Sequence, residues 1–212
     1  INWILQGRTI VTDGATLTIE PGTVIKGKGG SGTDASCLLI ARGAKINAVG
    51  TVDKPIIFTS IADSTGLEVS NRGLWGGLLV LGKAPGSFKG DVSEYQIEGI
   101  PASETRGLYG GNIPDDNSGV LKYISIRHGG ISIGSGNEIN GLTLAGVGNK
   151  TIIENIEVYA NVDDGIEFFG GTVNASNLIV WGQGDDGLDI DQSYSGEINN
   201  AVVILEQIGR AH

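Results

Sequence analysis

Apolar and polar residues alternate in short runs along most of the chain, and the runs return at nearly constant offset. Asn155-Ile156-Glu157-Val158-Tyr159 meets Asn177-Leu178-Ile179-Val180-Trp181 after a shift of 22 residues, and Asn200-Ala201-Val202-Val203-Ile204 after 23 more. Tyr123-Ile124-Ser125-Ile126-Arg127 has the same form upstream. A second series is interleaved with the first: Gly141-Leu142-Thr143-Leu144-Ala145, Gly165-Ile166-Glu167-Phe168-Phe169 and Gly187-Leu188-Asp189-Ile190-Asp191, at spacings of 24 and 22. Near the start, Gly14-Ala15-Thr16-Leu17-Thr18-Ile19 repeats as Gly43-Ala44-Lys45-Ile46-Asn47-Ala48. A period of two puts one face of each run in a core. Two or three such strands in a unit of 22–29 residues make one turn of a β-solenoid. A Greek-key sandwich would also supply many short strands, but not the same apolar pattern at a fixed offset, and no 3.6-residue apolar period occurs. The expected fold is all-β, a solenoid of about seven to nine coils, roughly 35–40 Å long at ~4.8 Å per coil.

Residues 83–119 break this rhythm, with three of the five prolines and little alternation. They read as a long loop excursion within one domain spanning 1–212, because strand pattern resumes at Val120. Long ordered loops often carry function. Glycine supplies 36 of the 212 residues, which suits a chain that turns every few residues. The net charge of −10 leaves no positive surplus for phosphates, which excludes nucleic acid and argues against an anionic membrane surface. No apolar run approaches the ~18–20 residues of a direct membrane span. Methionine is absent and the chain opens at Ile1, so a processed chain or a fragment is expected. Gly209-Arg210-Ala211-His212 follows a strand without a polar cap, and unpaired strand edges invite further chain segments or copies at that open end. The lone Cys37 rules out an internal disulfide, and its apolar run predicts a small packed hydrophobe.

Particular words of the sequence carry a resemblance. Val11-Thr12-Asp13-Gly14-Ala15-Thr16-Leu17-Thr18-Ile19-Glu20-Pro21-Gly22-Thr23-Val24-Ile25 resembles the opening coil of many bacterial right-handed parallel β-helix proteins. Trp75-Gly76-Gly77-Leu78, Leu81-Gly82-Lys83-Ala84-Pro85, Ile97-Glu98-Gly99-Ile100-Pro101 and Asp163-Asp164-Gly165-Ile166-Glu167-Phe168-Phe169-Gly170-Gly171 extend the likeness over most of the chain. The chain is similar to secreted and surface β-helix proteins with the pectate-lyase-like architecture. That resemblance implies a right-handed parallel β-helix and an extracellular or outer cell-surface location. It implies little about chemistry, since the wider superfamily includes polysaccharide lyases and hydrolases beside members without established activity.

Two clusters carry candidate chemistry. With Ile166, Phe168, Leu188 and Ile190 pointing inward, Glu167, Asp189 and Asp191 point outward on adjacent coils, about 5 Å apart from coil to coil. Asp163-Asp164 precedes one strand and Asp185-Asp186 the next, so seven carboxylates crowd two coils. Like charges this close need a cation or raised pKa values. Calcium, with its several hard oxygen ligands, is the expected ion. The competing reading is that Asp-Asp-Gly is turn chemistry, with Asp bonding backbone amides and Gly at positive φ. The second cluster is Arg127, Tyr159 and Trp181, aligned outward on successive coils as a candidate platform for sugar rings. The bland alternative is that the 83–119 excursion covers them. Asn155 and Asn177 are expected to form a structural amide ladder.

Three short matches lack their context. Gly27-Lys28-Gly29-Gly30-Ser31-Gly32 is followed by no helix to hold a pyrophosphate. Gly29-Gly30-Ser31-Gly32-Thr33-Asp34 is a single half of a calcium nonapeptide. Gly130-Ile131-Ser132-Ile133-Gly134 lacks the strand-to-helix turn of a nucleophile elbow. Lys122, Arg127 and His128 are the nearest candidates for a base, with His128 expected as a solvated turn residue. The reading that follows is a non-catalytic exported module for surface adhesion, matrix attachment or carbohydrate binding, stabilised by calcium, with a polysaccharide or cell-surface glycan as partner. A lyase or glycoside hydrolase acting on acidic glycans is the alternative, and a purely structural stalk the second alternative.

Overall fold

A computed structural model of the chain describes residues 2–134 and 137–206. The expectation about Gly209-Arg210-Ala211-His212 lies outside them. Among the described residues there are nineteen strands, two three-residue 3-10 helices and no α-helix, so none is long and apolar enough to cross a membrane.

The strands wind into a parallel β-helix with three faces. Face one carries Asn2–Leu5, Val24–Gly27, Ile56–Ser60 and then the second halves of Gly119–Arg127, Ile152–Tyr159, Asn174–Trp181 and Ile198–Ile204. Face two carries Arg8–Val11, Cys37–Ile40, Leu78–Leu81, Leu142–Ala145, Ile166–Phe169 and Leu188–Asp191. Face three carries Thr16–Ile19, Lys45–Val49 and the first halves of the long strands. Face one thus has seven rungs and face two six, which is six coils and the first strand of a seventh. The count falls short of the expected seven to nine, because the excursion and the loop before it take up chain that would otherwise have formed coils.

Inward rows of Leu38, Leu78, Leu142 and Ile166, and of Ile40, Val80, Leu144 and Phe168, fill the tube with Phe58, Ile126, Val158 and Val180 from face one. Each fully buried side chain of this kind contributes about 1.5–3 kcal/mol relative to exposure. Faces three and one share continuous strands that bend at a single residue. Tyr123, Asn155, Asn177 and Asn200 stand at that corner with φ between +52° and +57°. Asparagine tolerates this left-handed region better than most residues. The amide hydrogen bond at this corner runs from Asn200 Nδ2 to Asn177 Oδ1, at 3.2 Å, one coil on from the expected Asn155 and Asn177 pair.

The recurrent glycine of the second series has a steric cause. A Cβ on Gly141, Gly165 or Gly187 would press well inside van der Waals contact with Val158, Val180 or Val203. The corner between faces one and two is therefore closed by glycine against valine, coil after coil.

Two loops leave the tube. Residues 61–77 lie along the corner of faces one and two. Asn71 O accepts a hydrogen bond from His128 Nδ1 at 2.6 Å, and Leu74 N donates to His128 O at 3.0 Å. His128 is consequently buried, not the solvated turn residue its isolation in the sequence suggested, although it does adopt a turn conformation at φ +60°. Residues 82–118 form an arm with its own small antiparallel pair, Tyr95–Gln96 with Leu108–Tyr109. The arm folds back over the outside of face two. Phe88, Ile97, Ile100 and Tyr109 pack on Leu39, Leu79, Leu81, Ala145 and Phe169 as a second core. Cys37 belongs to this layer as a buried hydrophobe, with burial pushing its thiol up to about 12.

Candidate functional site

The outward column of face two changes character along the rod. In register it reads Ile10, Leu39, Leu79, Thr143, Glu167, Asp189. The arm seals the apolar part and continues over the first acidic rung. Tyr109 reaches Gln192 Oε1 at 2.5 Å, Ser87 N donates to Gln192 O at 2.9 Å, and Gly171 N donates to Pro85 O at 2.8 Å. Glu167 is left with 6 % of its surface exposed and Asp164 with 7 %.

The seven acidic residues do not form one crowd. Carboxylate oxygens of Asp164, Glu167 and Asp189 lie within 4.8 Å of one another, and so do those of Asp163, Asp164 and Asp185. Asp164 is shared by the two trios, while Asp186 and Asp191 are exposed and join neither. Asp186 instead donates its backbone N–H to Asp164 Oδ1 at 2.8 Å. Turn chemistry and a carboxylate cluster thus coexist at the same residue.

A further member was missed by sequence reasoning. Asn140 precedes Gly141 as Asp164 precedes Gly165 and Asp186 precedes Gly187. It is buried, donates Nδ2 to Glu167 Oε2, and its Oδ1 has no hydrogen-bond partner. Extending the glycine series by one residue toward the N-terminus would have found it.

Electrostatics follow from this crowding. Burial, then repulsion from Asp163, Asp189 and Asp185, raises Asp164 to about 7 against the opposing bond from Asp186. Burial, then Glu98 of the arm, Asp164 and Asp189, raises Glu167 to about 9, with the Asn140 bond pulling the other way. Asp189 is raised as well, by burial and then by Asp186 and Asp191, against a bond from the Ile190 N–H and a side-chain hydrogen bond with Glu167. Every charged group acting on these three is another acid. The ion pairs resolved among the described residues fall elsewhere.

The donor set fits a hard divalent ion. Calcium takes oxygen ligands at 2.3–2.6 Å, so two oxygens on one ion lie no more than about 5 Å apart. Asp164, Glu167 and Asp189 meet that limit, and Asn140 lies beside them with its amide nitrogen on Glu167 Oε2.

Arg127, Tyr159 and Trp181 are brought into register on face one. They do not make a continuous flat surface. Tyr159 meets Trp181 edge-on, at 5.4 Å with rings inclined at 69°, and its other side meets His128 in the same manner. Arg127 Nε is bonded to Ser125 Oγ at 2.6 Å and its Nη2 to Glu157 Oε2 at 3.3 Å. The 83–119 excursion, expected as their cover, lies on face two instead, because its apolar residues match the apolar outward rungs there. Trp181 remains 44 % exposed.

A scan against protein-family models matches residues 1–211 to a pectate-lyase like beta helix domain. No curated protein and no solved structure matches the chain. The match runs over nearly the whole sequence, and the three-faced parallel coil agrees with it. The chain belongs to the pectate-lyase-like beta helix family.

Proposed function

We propose that this chain is a non-catalytic, extracellular β-helix module for surface or glycan contact, stabilised by calcium held between Asp164, Glu167 and Asp189. The observation that carries the reading is the trio itself, with carboxylate oxygens of Asp164, Glu167 and Asp189 within 4.8 Å of one another and two of the three buried. A cation takes the place of the protons that Asp164 and Glu167, raised to about 7 and about 9, otherwise hold. An affinity of about 10⁻⁴–10⁻³ M, usual for extracellular modules, is enough where calcium is millimolar. Burial speaks against Asp164 and Glu167 as acid–base catalysts, since they are 7 % and 6 % exposed, while Asp189 is half-buried. The hydrolase reading keeps one supporting observation, Asp164 raised to about 7, which suits a general acid near neutral pH. Exposed Trp181, with Ile179, Val202 and Ile204 around it in register, is the contact surface that favours a glycan or another apolar partner.

A thermal melt in excess EDTA and then in millimolar calcium tests the cation. At a Kd of about 10⁻⁴ M, about 10 mM calcium is a hundredfold excess and adds about 2.7 kcal/mol, which moves Tm by about 5–10 °C for a chain of this length. The shift is expected to vanish in Asp189→Asn. Superimposable curves overturn the calcium reading. Release of new reducing or unsaturated ends from uronate polymers would overturn the non-catalytic one.

A further inference from the structure

The outward side of face one is apolar toward both ends of the rod and polar at its middle. Its first three rungs turn Ile4, Val24 and Ile57 outward. Its last two turn out Ile179, Trp181, Val202 and Ile204, all exposed. Between them, on the fourth rung, stands Arg127, whose charge is met by Glu157. Charge runs along the same axis with opposite sign at the two ends. Residues 1–60, which hold the first three rungs, carry six bases against four acids. Residues 151–206, which hold the last three, carry eleven acids and no base. Two such rods laid side by side and parallel would set acid against acid. Laid antiparallel, each acidic third lies beside the basic third of the other.

We propose that face one pairs with face one of a second copy of this chain, the two rods antiparallel, about a two-fold axis along the fourth rung. The pairing rests on face one being the contact surface and gives that surface its partner. The axis lays the first rung of each copy on the seventh of the other, and the second on the sixth. Each contact therefore occurs twice. Ile4 meets Ile204 and Val24 meets Ile179. Lys26, outward beside Val24, faces Trp181, and a cation over an indole ring is favourable. The Arg127 side chains nearest the axis arrive with their charge already compensated. Seven rungs at ~4.8 Å and four residues at ~3.3 Å bound a sheet of about 30 Å by 13 Å, which buries about 800 Å² over both copies. That is the size class of weak, reversible pairs.

Sedimentation equilibrium of the full chain from about 10 μM to about 1 mM tests this. The average mass is expected to rise from one chain toward two. Ile179→Asp, exposed in the single chain, puts two carboxylates into each pair and is expected to weaken association at least about tenfold. Rising salt is expected to weaken it as well, because opposite charges lie side by side. Chains carrying Ile4→Cys and chains carrying Ile204→Cys, once mixed, are expected to be joined to each other by a short bismaleimide and neither to itself. The native Cys37 is buried and takes no part. A single mass at every concentration, association unchanged in Ile179→Asp, association that tightens with salt, or Ile204→Cys joined to itself would overturn the proposal. A single mass would leave the contact-surface reading standing, since retention on polysaccharides tests that in the single chain.

Discussion

Glu167 and Asp189 occupy the same register position on adjacent coils, one sealed beneath the arm and the other partly open to solvent. At pH 8 the ion-free chain must either bury the Glu167 charge or take up a proton, and both cost free energy relative to the unfolded chain. Glu167→Gln does neither and keeps a partner for Asn140. We expect this variant to raise Tm in EDTA by on the order of 5 °C and to lose most of the calcium-dependent shift. A lower Tm with an intact calcium shift would remove Glu167 from the site.

The pH profile has a defined sign. Asp164 and Glu167 titrate higher in the folded chain than in the unfolded one. Their contribution to stability is complete below about pH 4 and falls as pH rises through about 7 for Asp164 and about 9 for Glu167. In EDTA, Tm should therefore drop between pH 5 and pH 9. In calcium the drop should shrink, since the ion competes with protons for the same oxygens. Melts at four pH values with and without calcium measure both. A calcium increment that is larger at pH 5 than at pH 9 contradicts the assignment.

Phe88 joins the arm to the tube, stacked on Tyr95 at 5.7 Å and edge-on to Tyr109 at 5.4 Å. Phe88→Ala is expected to cost about 3 kcal/mol, as for other aromatic truncations in cores. Because the arm is the cover of Glu167, the same variant should become susceptible to limited proteolysis between residues 89 and 107 while the coils stay folded by circular dichroism. Proteolysis as slow as in the parent chain would show that the arm is held by its other contacts.

The coils and the register of the acidic strands were legible because a two-residue period repeated at 22–24 residues leaves no freedom in which residue stacks on which. Glu167 over Asp189 and Tyr159 beside Trp181 follow from that arithmetic alone. The landing place of the arm was not legible in the arm itself, whose Phe88, Ile97, Ile100 and Tyr109 carry no period. It was written on the other partner. Cys37-Leu38-Leu39-Ile40-Ala41 is apolar at inward and outward positions alike, the mark of a strand covered on both faces. His128 was misjudged for the same reason, since its cover, residues 61–77, is a loop without periodic signal.

Trp181 is 44 % exposed, edge-on to Tyr159 and in register with Ile204 on the next coil. Trp181→Ala should therefore change Tm by little, within about 1–2 °C, as for a surface truncation. If face one contacts glycan, retention on immobilised polysaccharides should fall in this variant and not in Ile152→Ala, an exposed apolar residue on face three. Retention equal in the two variants would shift the weight toward a structural stalk.

Gly165 faces Val180 across the corner of faces one and two, closer than any side chain would permit. Gly165→Ala forces one of the two backbones outward and should destabilise the chain by about 1–3 kcal/mol. Val180→Ala alone leaves a cavity and should cost a similar amount. Together the new methyl group occupies space that the valine has vacated, so the double variant should lose less than the sum of the two, by at least about 0.5 kcal/mol. Urea unfolding of all four chains closes the cycle. Strict additivity would mean that the glycine recurs for a reason other than contact with the valine, and that the steric account of the repeat is wrong.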